Sequence, residues 1–126
     1  MGIDEILETT KTIAVVGMSA TPGKAGQYVP AYLAEHGYRL LGVSPTLPGG
    51  YASLNEIAEP VDLVLLFRRS LDVPAHAPEI LAMQPRPRAV WMQSGISHPA
   101  TAAQLESHGI AVVQDRCMLV EHQRRN

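Results

Sequence analysis

The sequence predicts an α/β domain, a doubly wound parallel five-stranded sheet with helices on both faces. Three observations predict it. Five short runs rich in Val, Leu, Ile and Ala recur along 126 residues, separated by stretches whose apolar residues fall at helical spacing. The runs are nearly continuous rather than alternating, as strands buried on both faces are. Glycine, proline or both stand at almost every junction, where they stop one element and start the next. A chain that alternates strand and helix in this way builds a parallel sheet with right-handed crossovers.

Taken in order, residues 4–10 read as a short amphipathic helix with Ile6 and Leu7 on one face and Asp4 as its N-cap. Thr12-Ile13-Ala14-Val15-Val16 is the first strand, closed by Gly17, and a loop rich in Gly, Ser, Thr and Pro follows. Tyr28, Val29, Tyr32 and Leu33 mark a helix that Gly37 stops, with Pro30 in its first turns. Residues 38–43 form the second strand, ended by Ser44-Pro45. After a Pro48-Gly49-Gly50 turn, Ser53 caps one helical turn with Glu56 in the capping-box position. Residues 61–67 are the third strand. The helix over 73–83 contains Pro78, which demands a late start or a kink. Residues 89–93 are the fourth strand, leaving at Ser94-Gly95. Pro99 opens a helix over 99–108, with Ser97 as its cap and Gly109 as its stop. Residues 110–114 are the fifth strand, and 115–125 close the chain, helical in part. No repeat or linker interrupts residues 1–126, so one domain is expected. The Rossmann-like order 3-2-1-4-5 would place the switch point of the sheet between the first and fourth strands.

Composition narrows the function. A hydrophobic fraction of 46% supports a packed core, and 5% aromatics make that core aliphatic. A net charge of −2 gives no pull toward nucleic acid or an anionic membrane. A single cysteine, Cys117, excludes an intrachain disulfide and Cys-rich zinc sites. No apolar run approaches the ~20 residues that span a bilayer, and the acidic N-terminus does not read as a signal peptide, so a cytoplasmic location is expected.

In an open parallel sheet, ligands sit beyond the carboxyl ends of the strands. The segments there are residues 17–26, Val43-Ser44-Pro45, Phe67-Arg68-Arg69, Gln93-Ser94-Gly95 and Asp115-Arg116-Cys117. The first carries the most chemistry. Gly17 permits a tight exit from the strand, Ser19 and Thr21 supply hydroxyls, Lys24 supplies a cation, and the following helix presents free N–H groups to an anion. The glycines at 17, 23 and 26 match neither G-x-G-x-x-G nor the P-loop spacing. The second strand ends without the acid that grips the ribose of NAD. Arg68 and Arg69 each read equally well as a phosphate ligand or a solvated turn residue. Gln93-Ser94-Gly95 offers an amide, a hydroxyl and close backbone approach.

At these residues the chain resembles the small CoA-binding domain family, which is similar to the cofactor domain of the succinyl-CoA synthetase α subunit. The stretches that carry the resemblance include Ile13-Ala14-Val15-Val16-Gly17-Met18-Ser19, Tyr28-Val29-Pro30-Ala31-Tyr32-Leu33, Val43-Ser44-Pro45, Phe67-Arg68, Trp91-Met92-Gln93-Ser94-Gly95-Ile96 and Asp115-Arg116-Cys117-Met118. The resemblance implies coenzyme A, or an acyl-CoA, as the small-molecule partner. It implies that Gly17, Met18, Ser19 and Ala20 wrap the pyrophosphate, with Lys24 and Tyr28 on the following helix. It further implies that Val43, Ser44 and Pro45 line the adenine slot, that Phe67 and Arg68 flank the nucleotide, and that Gln93, Ser94 and Gly95 border it. Relatives often carry a basic residue soon after the proline; here Thr46-Leu47 follow Pro45, and Lys24 or Arg68 stands in for the 3′-phosphate cation.

No catalytic constellation or metal spacing is visible among His36, His76, His98, His108 and His122. Cys117 reads as a structural cysteine or as a thiol beside the ligand. The expectation is a non-catalytic CoA-binding protein. An NAD-type redox fragment and a protein-interaction domain with a vestigial nucleotide site stand as alternatives.

Overall fold

The computed structural model describes residues 1–125. Its elements follow the chain as α1 (Ile3–Thr9), β1 (Thr12–Val16), α2 (Ala25–Glu35), β2 (Arg39–Val43), β3 (Leu63–Leu66), α3 (Ala77–Ala82), β4 (Ala89–Met92), α4 (Pro99–Glu106), β5 (Ala111–Val113) and α5 (Met118–Gln123). Short 3₁₀ turns lie at Leu54–Glu56 and Ser70–His76. All strands are parallel. The doubly wound α/β fold is as the sequence predicts, and Pro78 does sit just inside a late-starting helix, with the 3₁₀ turn taking up the residues before it.

Strand order is the main correction. The sheet runs β2-β1-β3-β4-β5, not 3-2-1-4-5. β3 pairs directly with β1, with Val16 opposite Leu66, while β2 takes the outer edge on the other side of β1. The physical reason lies in exposure. All four residues of β3 are buried, which requires neighbours on both sides and helices on both faces. In β2 Arg39 is exposed and Leu40 and Gly42 are only partly covered, which suits an edge. The switch point therefore falls between β1 and β3.

The two-residue period of the strands divides the core. Ile13, Val15, Leu63, Leu65 and Trp91 face α1, α2 and α5; Ala14, Val16, Val64, Leu66 and Met92 face α3 and α4. Trp91 is fully buried, and its indole N–H donates to the Arg116 carbonyl at 2.8 Å. At the amino edge, the Asp62 carboxylate accepts from the Lys11 and Thr12 amides, both at 2.9 Å, and pins the start of β1.

Helix ends depart from expectation in small ways. Gly2, not Asp4, holds the N-cap of α1. α4 is capped by His98, whose Nδ1 accepts from the Thr101 amide at 3.2 Å, rather than by Ser97. Ser53 makes no side-chain cap; Glu56 instead accepts from the Ala52 amide. Pro30 stands sixth in α2, past the first turn.

α5 docks on α2 through an aromatic seam. Tyr32 stacks on His36, and its hydroxyl lies 2.8 Å from Nδ1 of His122, in hydrogen-bond contact. Burial, then His36 and Arg125, hold the His122 imidazole below its ordinary range. A base depressed in the fold binds fewer protons than the unfolded chain. Its stabilising contribution is therefore full above the ordinary histidine value of about 6.5 and is lost as pH falls through the folded value. Thermal melts between about pH 7.5 and 5.5 are expected to show a falling Tm that His122→Gln flattens; an identical slope in that variant refutes the assignment.

Candidate functional site

The site begins where β1 ends. Gly17 leaves the strand at φ +86°, and a Cβ there would collide with the Phe67 carbonyl oxygen. Only glycine combines that backbone with that approach. The Gly17 amide donates to the Val43 carbonyl and the Phe67 amide to the Val16 carbonyl, both at 2.8 Å, so the exits of β2, β1 and β3 are laced together.

The loop then turns back onto α2. The Ser19 amide donates to the Gly26 carbonyl at 3.0 Å. That carbonyl is the one Pro30 would normally engage four residues on, and proline has no N–H to offer it. Ser19 Oγ accepts from the Thr21 amide at 3.0 Å. Gly26 also lies against the loop: a Cβ there would come to 3.0 Å from the Gly17 carbonyl.

The start of α2 is unusual. Its N-cap residue is Lys24, which makes no side-chain cap, and no acid stands in its first turn. Ser, Thr, Asp and Asn are the residues that ordinarily fill that position, and acids ordinarily follow. The Ala25 and Gly26 amides at the first two helical positions have no intrahelical acceptor. An uncapped positive helix end with a lysine beside it is arranged for an anion.

These parts open onto a cleft of about 580 Å³. One wall comes from beyond β2 and carries Ser44, Thr46 and Leu47; the other carries Phe67 and Arg68 from beyond β3. Ser44 Oγ and Thr46 Oγ1 lie 3.2 Å apart. Bare backbone at Gly42 lets Met18 and Leu47 close in over β2: a Cβ there would strike Leu47 and come to 2.9 Å from Met18 Sδ. The cleft is thus lined by hydroxyls, an apolar strip, two cations and no carboxylate.

Gly17, Met18, Ser19, Ala20, Lys24, Ser44, Phe67 and Arg68 from the sequence reading line this cleft together. Val43 does not line it; its side chain is buried in the core beneath α3 and α4. Pro45 is exposed outside it, and Tyr28 is half-exposed further along α2. Gln93, Ser94 and Gly95 also lie outside the cleft lining, because β3 stands between β4 and β1. The Gln93 side-chain oxygen accepts from the Met118 amide at 3.2 Å, and the Gly95 amide donates to Asp115 at 2.6 Å. Thr46, Leu47, Ala25 and Gly26 also line the cleft, although no chemistry of their own in the sequence assigns them to a site; the signal for them is position, just past a strand end or at a helix start.

The remaining reactive groups are spent elsewhere. Arg69 turns outward to Asp72 at 3.0 Å. His76 meets Glu79, and His108 lies against the Gln104 carbonyl. Cys117 is half-buried at the N-cap of α5. Among the described residues no group of three or more His, Cys, Asp or Glu could hold a metal ion, and no helix is long and apolar enough to cross a membrane.

Comparison with known proteins places the chain among relatives of the same fold. The chain is 34% identical over 125 residues to the uncharacterized protein YneT of Bacillus subtilis, covering 95% of this chain and 91% of that one. It superposes on the solved structure of cell-free ID.343 from Thermus thermophilus with a TM-score of 0.91 and 44% identity, covering 98% of both chains. A hypothetical protein from Pyrococcus horikoshii OT3 matches with a TM-score of 0.88 and 30% identity, over 97% of this chain and 88% of that one. The profile of the CoA binding domain matches residues 11–123, nearly the whole chain, and this protein belongs to the CoA binding domain family.

Proposed function

We propose that the protein binds coenzyme A or an acyl-CoA without transforming it, holding the diphosphate at the 17–20 loop and the start of α2. The observation that carries this reading is the uncapped N-terminus of α2, with Lys24 at the N-cap and Gly17 clearing the floor of the cleft. A diphosphate supplies the acceptors that the Ala25 and Gly26 amides lack and the charge that Lys24 faces. The hydroxyl pair at Ser44 and Thr46 suits a ribose, and Met18 with Leu47 suits the face of a purine. Absence of any carboxylate in the lining speaks against NAD, whose ribose diol is held by an acid after the second strand. The lining also offers no histidine, thiol or carboxylate to move a proton, which supports a binding role rather than catalysis.

Isothermal calorimetry of the freshly purified chain with CoA tests this. Saturable binding at one site per chain, with NADH giving no heat, is the expected result. No heat with either CoA or acetyl-CoA would overturn the proposal.

A further inference from the structure

Arg68 has no place in the fold's own network of charges. Of the other arginines, six face carboxylates and Arg86 donates to the Leu81 carbonyl. Among the arginines of the described residues, Arg68 alone has neither an ion-pair partner nor a hydrogen-bond acceptor, although it is half-buried and lines the cleft. A partly desolvated guanidinium carries five N–H donors and a permanent charge, and it is costly to leave without an acceptor. Its neighbour Arg69 shows the contrast: it points to solvent and takes Asp72. No acid in the cleft lining competes for Arg68.

Its position follows from register. Val16 lies opposite Leu66 on one side and Val43 on the other. β1 lies between β2 and β3, so the segment leaving β3 faces the segment leaving β2 across the exit of β1. Arg68 thus stands across the cleft from the Ser44–Thr46 hydroxyl pair, on the far side of the Met18 strip. Lys24 belongs to a different part of the cleft, the start of α2. The two cations thus enter the one cleft from different elements, Lys24 from the start of α2 and Arg68 from beyond β3. A diphosphate is met by the helix end and Lys24. Besides its diphosphate, CoA carries a further phosphate on the ribose.

We infer that Arg68 is the specificity determinant for a 3′-phosphate on the nucleotide, so that the cleft distinguishes CoA from 3′-dephospho-CoA through this side chain. The inference rests on the proposed function and deepens it. A planar guanidinium can engage two oxygens of a phosphomonoester at once, with the Thr46 hydroxyl donating from the opposite wall.

Calorimetric titration of CoA and dephospho-CoA into the wild type, Arg68→Gln and Lys24→Gln separates the two roles. The wild type is expected to prefer CoA by about tenfold or more, as a charge-assisted phosphate contact confers. Arg68→Gln should abolish that preference while leaving affinity for dephospho-CoA within about threefold, and Arg68→Lys should restore part of it. Lys24→Gln should weaken both ligands by the same factor. Thermal melts of each variant check that the fold is retained; the Arg68 side chain makes no hydrogen bond or ion pair that its removal would break. Equal loss of both ligands in Arg68→Gln, or a preference that survives it, overturns the inference while leaving CoA binding intact. Binding of neither ligand by the wild type instead removes the proposed function, and this inference with it.

Discussion

Gly17→Ala is expected to destabilise the protein by about 2–4 kcal/mol, because the added methyl meets both an unfavourable φ and the Phe67 carbonyl. To relieve that collision the 17–20 loop must lift from β3, which carries the cleft floor with it. CoA affinity should then fall by more than about tenfold even where the variant is folded. Gly23 provides an internal control. It too lies at positive φ, +89°, yet nothing stands within 4 Å of a Cβ built there. Gly23→Ala should cost only the conformational strain, about 1 kcal/mol. Urea unfolding of both variants measures the difference, and equal losses would show that the Phe67 contact is not the cause.

Lys24→Glu should separate stability from binding. At the N-cap of α2 a glutamate complements the helix dipole where the lysine opposes it, so the fold should gain about 0.3–1 kcal/mol. The same change replaces attraction by repulsion at the mouth of the proposed diphosphate site. CoA affinity should drop on the order of a hundredfold, the loss of a charge-assisted contact compounded by like charge. A variant that is both more stable and still binds CoA normally would show that the anion sits elsewhere. The opposite signs are what a site selected for a ligand at the expense of the helix predicts.

How far the sequence reveals this site depends on which force places each residue. β1 and its glycine exit are legible because a continuous β-branched run ending in glycine has few other readings, and the cleft forms around it. Strand adjacency is harder, because it depends on which strand most needs covering. The exposed Arg39 and the bare Gly42 in β2, against the four buried apolar residues of β3, hold that information. A default order overrides it if pattern is read strand by strand. The order 3-2-1-4-5 brings Gln93, Ser94 and Gly95 beside the first loop, whereas in the observed sheet β3 stands between them and it. Arg68 and Arg69 are chemically identical in sequence. What separates them is the direction each takes at the strand exit, one into the cleft and the other to Asp72. The family resemblance implies Val43 at the adenine slot, yet strand alternation turns its side chain into the core.

Pro30 has a consequence that reaches beyond helix geometry. A proline in the second turn of α2 deletes one rung of the helical ladder, a loss that isolated helices tolerate poorly. Here the orphaned Gly26 oxygen becomes a mooring for the Ser19 amide. The loop is held in its curved form before any ligand arrives. The conformational entropy of ordering it is therefore settled during folding, and less of the ligand's interaction energy is diverted to that purpose. What looks in the sequence like a flaw in a helix is, in the folded chain, the device that pre-organises a neighbouring loop.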